Sequence, residues 1–127
     1  MSKELQEQPD VLDKVVDLLY EQMNFMVPLT KVYLREVLKN AIIFDKKQQD
    51  YSSSNIAEFG DIGVLIRMND KFNRLKNLTL NGKSPKNESI EDTWRDISVY
   101  ATIGLLCYEG KWPGTDKRIK ISVIEKE

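Results

Sequence analysis

Two stretches of the chain, Phe59–Leu78 and Asn87–Leu106, carry charged side chains at the spacing of an α-helix. Residues three or four apart lie on one face of a helix, so each stretch presents a polar stripe. The stripe of the first stretch is Arg67, Asp70, Lys71, Arg74 and Asn77, and that of the second is Glu88, Asp92, Asp96 and Tyr100. A column of carboxylates repels itself unless a cation lies opposite it. The pattern therefore predicts that the acidic column faces the arginine and lysine stripe, a metal ion, or both.

The residue types that are missing limit the chemistry that these stripes could perform. The chain has no histidine, which excludes serine and cysteine mechanisms with a histidine base and zinc sites built on imidazole. Its single cysteine, Cys107, excludes an intrachain disulfide and is most simply a core residue. Carboxylates with Mg²⁺ or Mn²⁺ remain, together with lysine, arginine and tyrosine. A carboxylate-held metal is thus the simplest enzymatic design left to this sequence.

Length and composition predict one soluble domain that spans residues 1–127. Hydrophobic residues make up 41% and charged residues 31% of 127, a balance typical of globular rather than disordered chains. The net charge of −1 provides no overall attraction for DNA, RNA or an anionic membrane, so direct nucleic-acid binding is not expected. The longest nearly apolar run, Ile97–Tyr108, is too short to cross a bilayer, and the polar N-terminus does not resemble a signal peptide. We expect a cytoplasmic protein.

The elements that must position the stripes are predicted to be helices. The periodicity indicates an all-α, four-helix bundle-like domain that ends in a short C-terminal β-strand or hairpin element, from Arg118 to Glu125. The four helices are predicted over residues 9–25, 30–49, 61–78 and 89–109, with caps at Thr30, Asp61 and Ser89.

The apolar residues at helical spacing predict which faces enter the core. On the first helix these are Val11, Val15, Leu18, Leu19 and Met23. On the second they are Tyr33, Leu34, Val37, Leu38, Ala41, Ile42 and Phe44, and on the third Ile62, Leu65, Met68, Phe72 and Leu75. Trp94 is expected in the core as well, whereas Trp112, beside Pro113 and Gly114, is expected to be exposed.

The residues between Phe44 and Leu106, about half of the chain, resemble a known family, the nucleotide modification associated domain, type 1. The matching residues are Asp50, Tyr51, Gly60, Asp61, Arg67, Asp70, Lys71, Arg74, Leu75, Asn77, Leu78, Glu88, Ser89, Asp92, Thr93, Asp96 and Tyr100. This resemblance implies a protein that handles nucleotides. The arrangement is more distantly similar to the MazG-type all-helical nucleotide pyrophosphohydrolases, which bind Mg²⁺ through an E-x-x-E pair on one helix and an E-x-x-D pair on a later one.

The metal motifs of the MazG-type enzymes are only partly present in this chain. The carboxylates Glu88, Asp92 and Asp96 follow one another at intervals of four, and the earlier helix has no E-x-x-E pair. In its place, Asp70 stands among three cations, which bind phosphate directly. Either Asp70 with Asp92 and Asp96 holds one metal ion, or the cations bind phosphate without a metal and nothing is hydrolysed.

Three functional hypotheses follow, and they leave open whether the protein is an enzyme. In the first, it sequesters a phosphorylated nucleoside or nucleotide signal without turnover and needs no cofactor. One setting for such a protein is a phage that counters host defence. The ligand-binding residues would be Arg67, Lys71, Arg74, Tyr51, Asn77 and Tyr100.

In the second hypothesis, the protein is a Mg²⁺- or Mn²⁺-dependent nucleotide pyrophosphohydrolase. Asp70, Asp92 and Asp96 would be the metal ligands, and Glu88 would be the base that activates water. In the third, it is a protein-interaction adaptor, and the two stripes form a structural ion-pair network.

The first two hypotheses favour a homo-oligomer, because a charged surface built from two helices is open on a monomer of this size. The first helix and the C-terminal strand are the expected contacts.

Overall fold

The computed structural model describes residues 9–115, and within them the chain forms five α-helices and no β-strand. We number them α1 (Pro9–Gln22), α2 (Leu29–Asp50), α3 (Ser54–Ala57), α4 (Gly60–Leu80) and α5 (Ile90–Tyr108). The all-α prediction is confirmed for this part of the chain, and the predicted C-terminal strand lies outside it. The chain divides into two compact units, Met1–Asp50 and Tyr51–Glu127. The single domain over residues 1–127 and the four-helix bundle remain predictions.

The first unit contains α1 and α2, which form a helical hairpin. Helix α1 ends at Gln22, three residues before its predicted end, whereas α2 lies within one residue of the predicted range 30–49 at both ends. The turn between them contains Asn24, with φ at 56°, and Pro28, which precedes the first residue of α2. Ion pairs join the two helices: Arg35 binds Asp13, and Lys31 binds Asp17 at 3.2 Å.

The predicted inner faces of this hairpin are largely wrong. Among residues 11–22 of α1, Leu12 and Val16 are buried, while Leu18 is exposed. In α2, no residue is fully buried and Tyr33 is exposed. Asp13 follows Leu12 and Asp17 follows Val16, so the ion pairs to α2 lie beside the buried face of α1.

The second unit is built on the antiparallel pair α4 and α5. Gly104 lies against Val64 at one end of the pair, and Arg74 binds Thr93 near the other. Its buried apolar side chains are Ile56, Val64, Leu75, Leu78, Ile97, Ile103, Cys107 and Trp112. Cys107 is therefore a core residue, as predicted.

The orientation of α4 differs from the prediction by about a quarter of a turn. Ile62 and Leu65, predicted to be inside, are 64% and 65% exposed, and Phe72 is exposed as well. Val64 and Leu78 are buried in their place, and Lys71 lies beside them at the contact with α5. The helix turns this way because the carboxylates of α5 bind its cations, which draws the polar stripe toward the interface.

A turn after α5 closes the second unit against α3. Trp112 is only 4% exposed, and its indole Nε1 donates a hydrogen bond to the backbone oxygen of Ser53 at 2.9 Å. Gly114 has a positive φ of 89°, and a Cβ atom there would lie 3.1 Å from the Cβ of Ala57. The expected exposure of Trp112 is therefore wrong, because the turn folds its indole onto α3.

Of the two N-cap residues predicted in this unit, one is confirmed. The Ser89 side chain accepts a hydrogen bond from the Asp92 backbone N–H at 3.0 Å, which confirms it as the N-cap of α5. Asp61, by contrast, lies inside the first turn of α4, and the N-cap position is Phe59. None of the helices within residues 9–115 combines the length and the apolar character needed to cross a bilayer.

Candidate functional site

The polar stripes of α4 and α5 meet in a cluster that we call the α4–α5 network, made of Lys71, Arg74, Glu88, Thr93 and Asp96. The Nζ atom of Lys71 lies 2.8 Å from Glu88 Oε1 and 2.9 Å from Asp96 Oδ2. Lys71 thus joins the Glu88 carboxylate, which lies just before α5, to the Asp96 carboxylate in the second turn of that helix.

Arg74 binds the same end of α5 one turn further along α4. Its Nη1 donates a hydrogen bond to Thr93 Oγ1 at 2.5 Å and lies 3.6 Å from Glu88 Oε2. Its Nη2 donates to the backbone oxygen of Glu88. The guanidinium therefore fixes both the backbone and the side chain of Glu88 against α4.

Thr93 is the buried centre of the network, with none of its surface exposed. Its Oγ1 lies 2.6 Å from Glu88 Oε2 and 3.0 Å from the backbone oxygen of Ser89, either of which can accept the single hydroxyl proton. Thr93 is not among the site residues predicted from the sequence. Two signals in the sequence point to it: it is one of the residues that carry the family resemblance, and it lies four residues before Ile97, on the face of α5 that enters the core.

The network stabilises Glu88 as a carboxylate. Burial by itself would raise the pKa of Glu88, but the hydrogen bonds from Lys71 and Thr93 and the charge of Lys71 lower that pKa to about 2. Burial would likewise lower the pKa of Lys71, yet its bonds to Glu88 and Asp96 raise that pKa above the ordinary value of 10.5. The charges of the two cations and the two carboxylates sum to zero, and each of the four side chains is between 20% and 29% exposed.

The other predicted ligand-binding residues are not part of this network. Arg67 is half-buried one turn before Lys71, and no hydrogen bond or ion pair joins it to the described residues. Tyr51 is exposed just before α3. Asn77 is exposed and accepts a hydrogen bond from Asn81 at 2.9 Å. Tyr100 is half-buried one turn after Asp96.

The predicted metal ligands are not brought together. Asp70 and Asp92 are both exposed, and Asp96 is bound to Lys71. Within residues 9–115, no three Asp, Glu, Cys or His side chains are placed so that they could hold a metal ion. A carboxylate with a pKa of about 2 is also a weak proton acceptor near neutral pH, which disfavours Glu88 as a general base.

The faces of α4 and α5 that point away from each other carry large apolar side chains. We call Phe59, Ile62, Leu65 and Ile66, at the start of α4, the α4 patch; each is about 60% exposed or more. Arg67 borders this patch in a shallow concavity lined by Glu58, Phe59, Ile62, Gly63, Ile66 and Arg67. On α5 the exposed apolar side chains are Trp94, Leu105 and Tyr108, so the predicted burial of Trp94 is wrong.

A comparison of the chain with protein-family models, with curated proteins and with solved structures finds no match. The resemblance to the nucleotide modification associated domain, type 1, and to MazG-type enzymes therefore stays a prediction.

Proposed function

We propose that this protein is an interaction module whose α4–α5 hairpin presents apolar outer faces to other protein chains. The observation that carries the proposal is the exposure of the α4 patch, where Ile62, Leu65 and Ile66 are well exposed on one end of a single helix. Contiguous apolar surface of this kind marks interaction sites on soluble proteins.

The α4–α5 network supports this proposal over phosphate binding by the whole cationic stripe. Lys71 and Arg74 are already bound to Glu88, Thr93 and Asp96, so a phosphate would have to displace a carboxylate of pKa about 2. The network is then the structural ion-pair arrangement of the third hypothesis. It holds the hairpin together by polar contacts and leaves its outer faces for partners.

Two substitutions on the α4 patch test the proposal. The double variant Ile62→Lys/Ile66→Lys places charges on side chains that are exposed in the folded chain. It should change the free energy of unfolding by no more than about 0.5 kcal/mol for each site. It should also reduce the fluorescence of a hydrophobic dye bound to the full chain. The matched control is Asn69→Lys/Asn73→Lys, which adds the same charges to polar, exposed positions of α4.

Comparison of the patch variant with its control distinguishes three outcomes. Loss of dye binding in the patch variant alone supports the proposal. If the patch variant unfolds while the control stays folded, the patch is covered within the chain and the proposal is wrong. The proposal also fails if the wild-type chain is monomeric at all concentrations and binds no dye.

Sequestration of a nucleotide is a second candidate function, favoured by the position of Arg67. This arginine has no bond to the described residues and borders the concavity that contains the exposed ring of Phe59. A phosphate could bind the guanidinium while a base stacks on the ring.

This candidate is tested by equilibrium dialysis with canonical and modified nucleoside triphosphates, cyclic dinucleotides and ADP-ribose derivatives. A sequestered compound returns intact after heat denaturation of the protein, and Arg67→Ala should weaken its binding at least about tenfold, the loss of one strong charged hydrogen bond. Unchanged binding by Arg67→Ala would rule out this site. Accumulation of product beyond one per chain in the presence of Mg²⁺ would instead revive the hydrolase hypothesis.

A further inference from the structure

The outer face of α5 carries a regular stripe of exposed residues that the α4–α5 network does not use. We call it the α5 seam; its members are Trp94, Ser98, Ala101, Leu105 and Tyr108, and all five are exposed. They follow one another at alternating steps of four and three residues. This is the spacing by which one helix packs along another.

The α5 seam has large side chains at both ends and a small one at its centre. Trp94 stands at one end, Leu105 and Tyr108 at the other, and Ala101 at the centre, seven residues from each aromatic. The seam of a second copy, running antiparallel, fits this shape. Each Trp94 then contacts Tyr108 of the second copy, and the two alanines allow the helix axes to approach closely.

The charges at the ends of α5 favour the same orientation. Glu91 is exposed in the first turn of the helix, and Lys111 is exposed just beyond its end, 3.5 Å from Glu109. An antiparallel pair centred on Ala101 brings the Glu91 end of each copy beside the Lys111 end of the other. A parallel pair would set Glu91 against Glu91, which is repulsive.

We propose that two copies of this chain associate through the α5 seam as an antiparallel pair centred on Ala101. The inference rests on the proposed function, since it names one partner and one surface for the interaction module. An aromatic side chain buries about 150 to 250 Å² when fully covered, so the seam offers roughly 400 Å² per copy, half of a standard stable interface. We therefore expect a dimer of micromolar rather than nanomolar affinity.

Cysteine cross-linking of the full chain tests both the surface and the orientation. In the proposed dimer, position 101 lies on the two-fold axis, so Ala101→Cys should form a covalent dimer under mild oxidation. Ser98→Cys is the matched control: its two copies would lie about 9 Å apart along the helix axes, too far for a disulfide. The native Cys107 is buried, so the unmodified chain should not cross-link.

Cross-linking at 101 alone supports the proposal. Cross-linking at both positions indicates a parallel pair, and cross-linking at neither indicates that the seam is not an interface between copies; either result overturns the proposal. In the last case, loss of dye binding in the α4 patch variant would leave the proposed function standing, so the two failures are distinguishable.

Exchange of the end charges provides an independent measurement. Glu91→Lys should raise the dimer dissociation constant about two- to tenfold, as expected for exposed ion pairs. Adding Lys111→Glu should restore it, because the opposite charges then face each other again. A double variant that associates no better than Glu91→Lys alone would contradict the antiparallel orientation.

Discussion

Replacement of Glu88 by glutamine measures what the α4–α5 network contributes to the fold. The change keeps the size of the side chain and removes its charge, so the bond from Lys71 loses its ionic character. The difference between the ordinary pKa of 4.5 and the folded-state pKa of about 2 corresponds to about 3 kcal/mol of stability at neutral pH. Because 29% of the Glu88 side chain remains exposed, solvent screening reduces the expected cost of Glu88→Gln to about 1 to 3 kcal/mol.

The pH dependence of this cost identifies its origin. A carboxyl whose pKa is lowered by folding stabilises the folded state fully above its unfolded pKa, here 4.5. That stability is lost as the pH falls through the folded-state value of about 2. The difference between wild type and Glu88→Gln should therefore be largest at neutral pH and fall to roughly two fifths of that value at about pH 3.

Urea unfolding followed by far-ultraviolet circular dichroism, at neutral and acidic pH, supplies both numbers. Asp70→Asn is the matched control, because Asp70 is an exposed carboxylate on the same hairpin. We expect it to change stability by less than about 0.5 kcal/mol at every pH. If Glu88→Gln is as stable as wild type at neutral pH, the charge of Glu88 does not stabilise the fold. If its loss of unfolding free energy does not shrink in acid, the lowered pKa of Glu88 is not the cause of that loss.

Three further substitutions test the hairpin and the turn that closes it. Lys71→Met should destabilise the fold by about 1 to 3 kcal/mol in urea unfolding, because two half-buried carboxylates lose their common cation; wild-type stability would mean that the bridge contributes nothing. Trp112→Phe removes the hydrogen bond to Ser53 and should cost about 1 to 3 kcal/mol by the same assay, whereas an unchanged midpoint would show that the indole N–H is not buried there. Gly114→Ala should lower the thermal midpoint, since φ is 89° and the new Cβ would lie 3.1 Å from Ala57; a raised midpoint would contradict the described turn.

The bounds of the longer helices could be predicted because their signals are local. Pro28 ends the first hairpin turn, and Ser89 caps α5 through a bond to a residue three positions later. The short helix α3 was not predicted, because the serine-rich segment around it is typical of a loop. The hydrogen bond that Trp112 donates to Ser53 at its start comes from far along the chain.

The candidate site was predicted in part. The sequence indicated that the cations of α4 face the carboxylates of α5, and Lys71 does bind Glu88 and Asp96. It did not indicate that Thr93 lies at the centre, nor that Asp92 stays exposed. Glu88 precedes α5 and contacts Lys71 and Thr93 from outside the helix. The helical periodicity of α5 therefore does not apply to Glu88, and the predicted column of Glu88, Asp92 and Asp96 on one helix face is not formed.

The sequence by itself determined the helical class of the described part, the ends of its long helices to within three residues and the two charged stripes, because periodicity and caps act over a few residues. The tertiary structure decided which face of each helix is inside. Ile62 and Val64 are both apolar and lie two positions apart, so α4 alone provides no reason to bury one rather than the other. The choice depends on the free energy of the whole α4–α5 interface, where the pairing of Lys71 and Arg74 with Glu88 and Asp96 turns Val64 inward and leaves Ile62 on the surface.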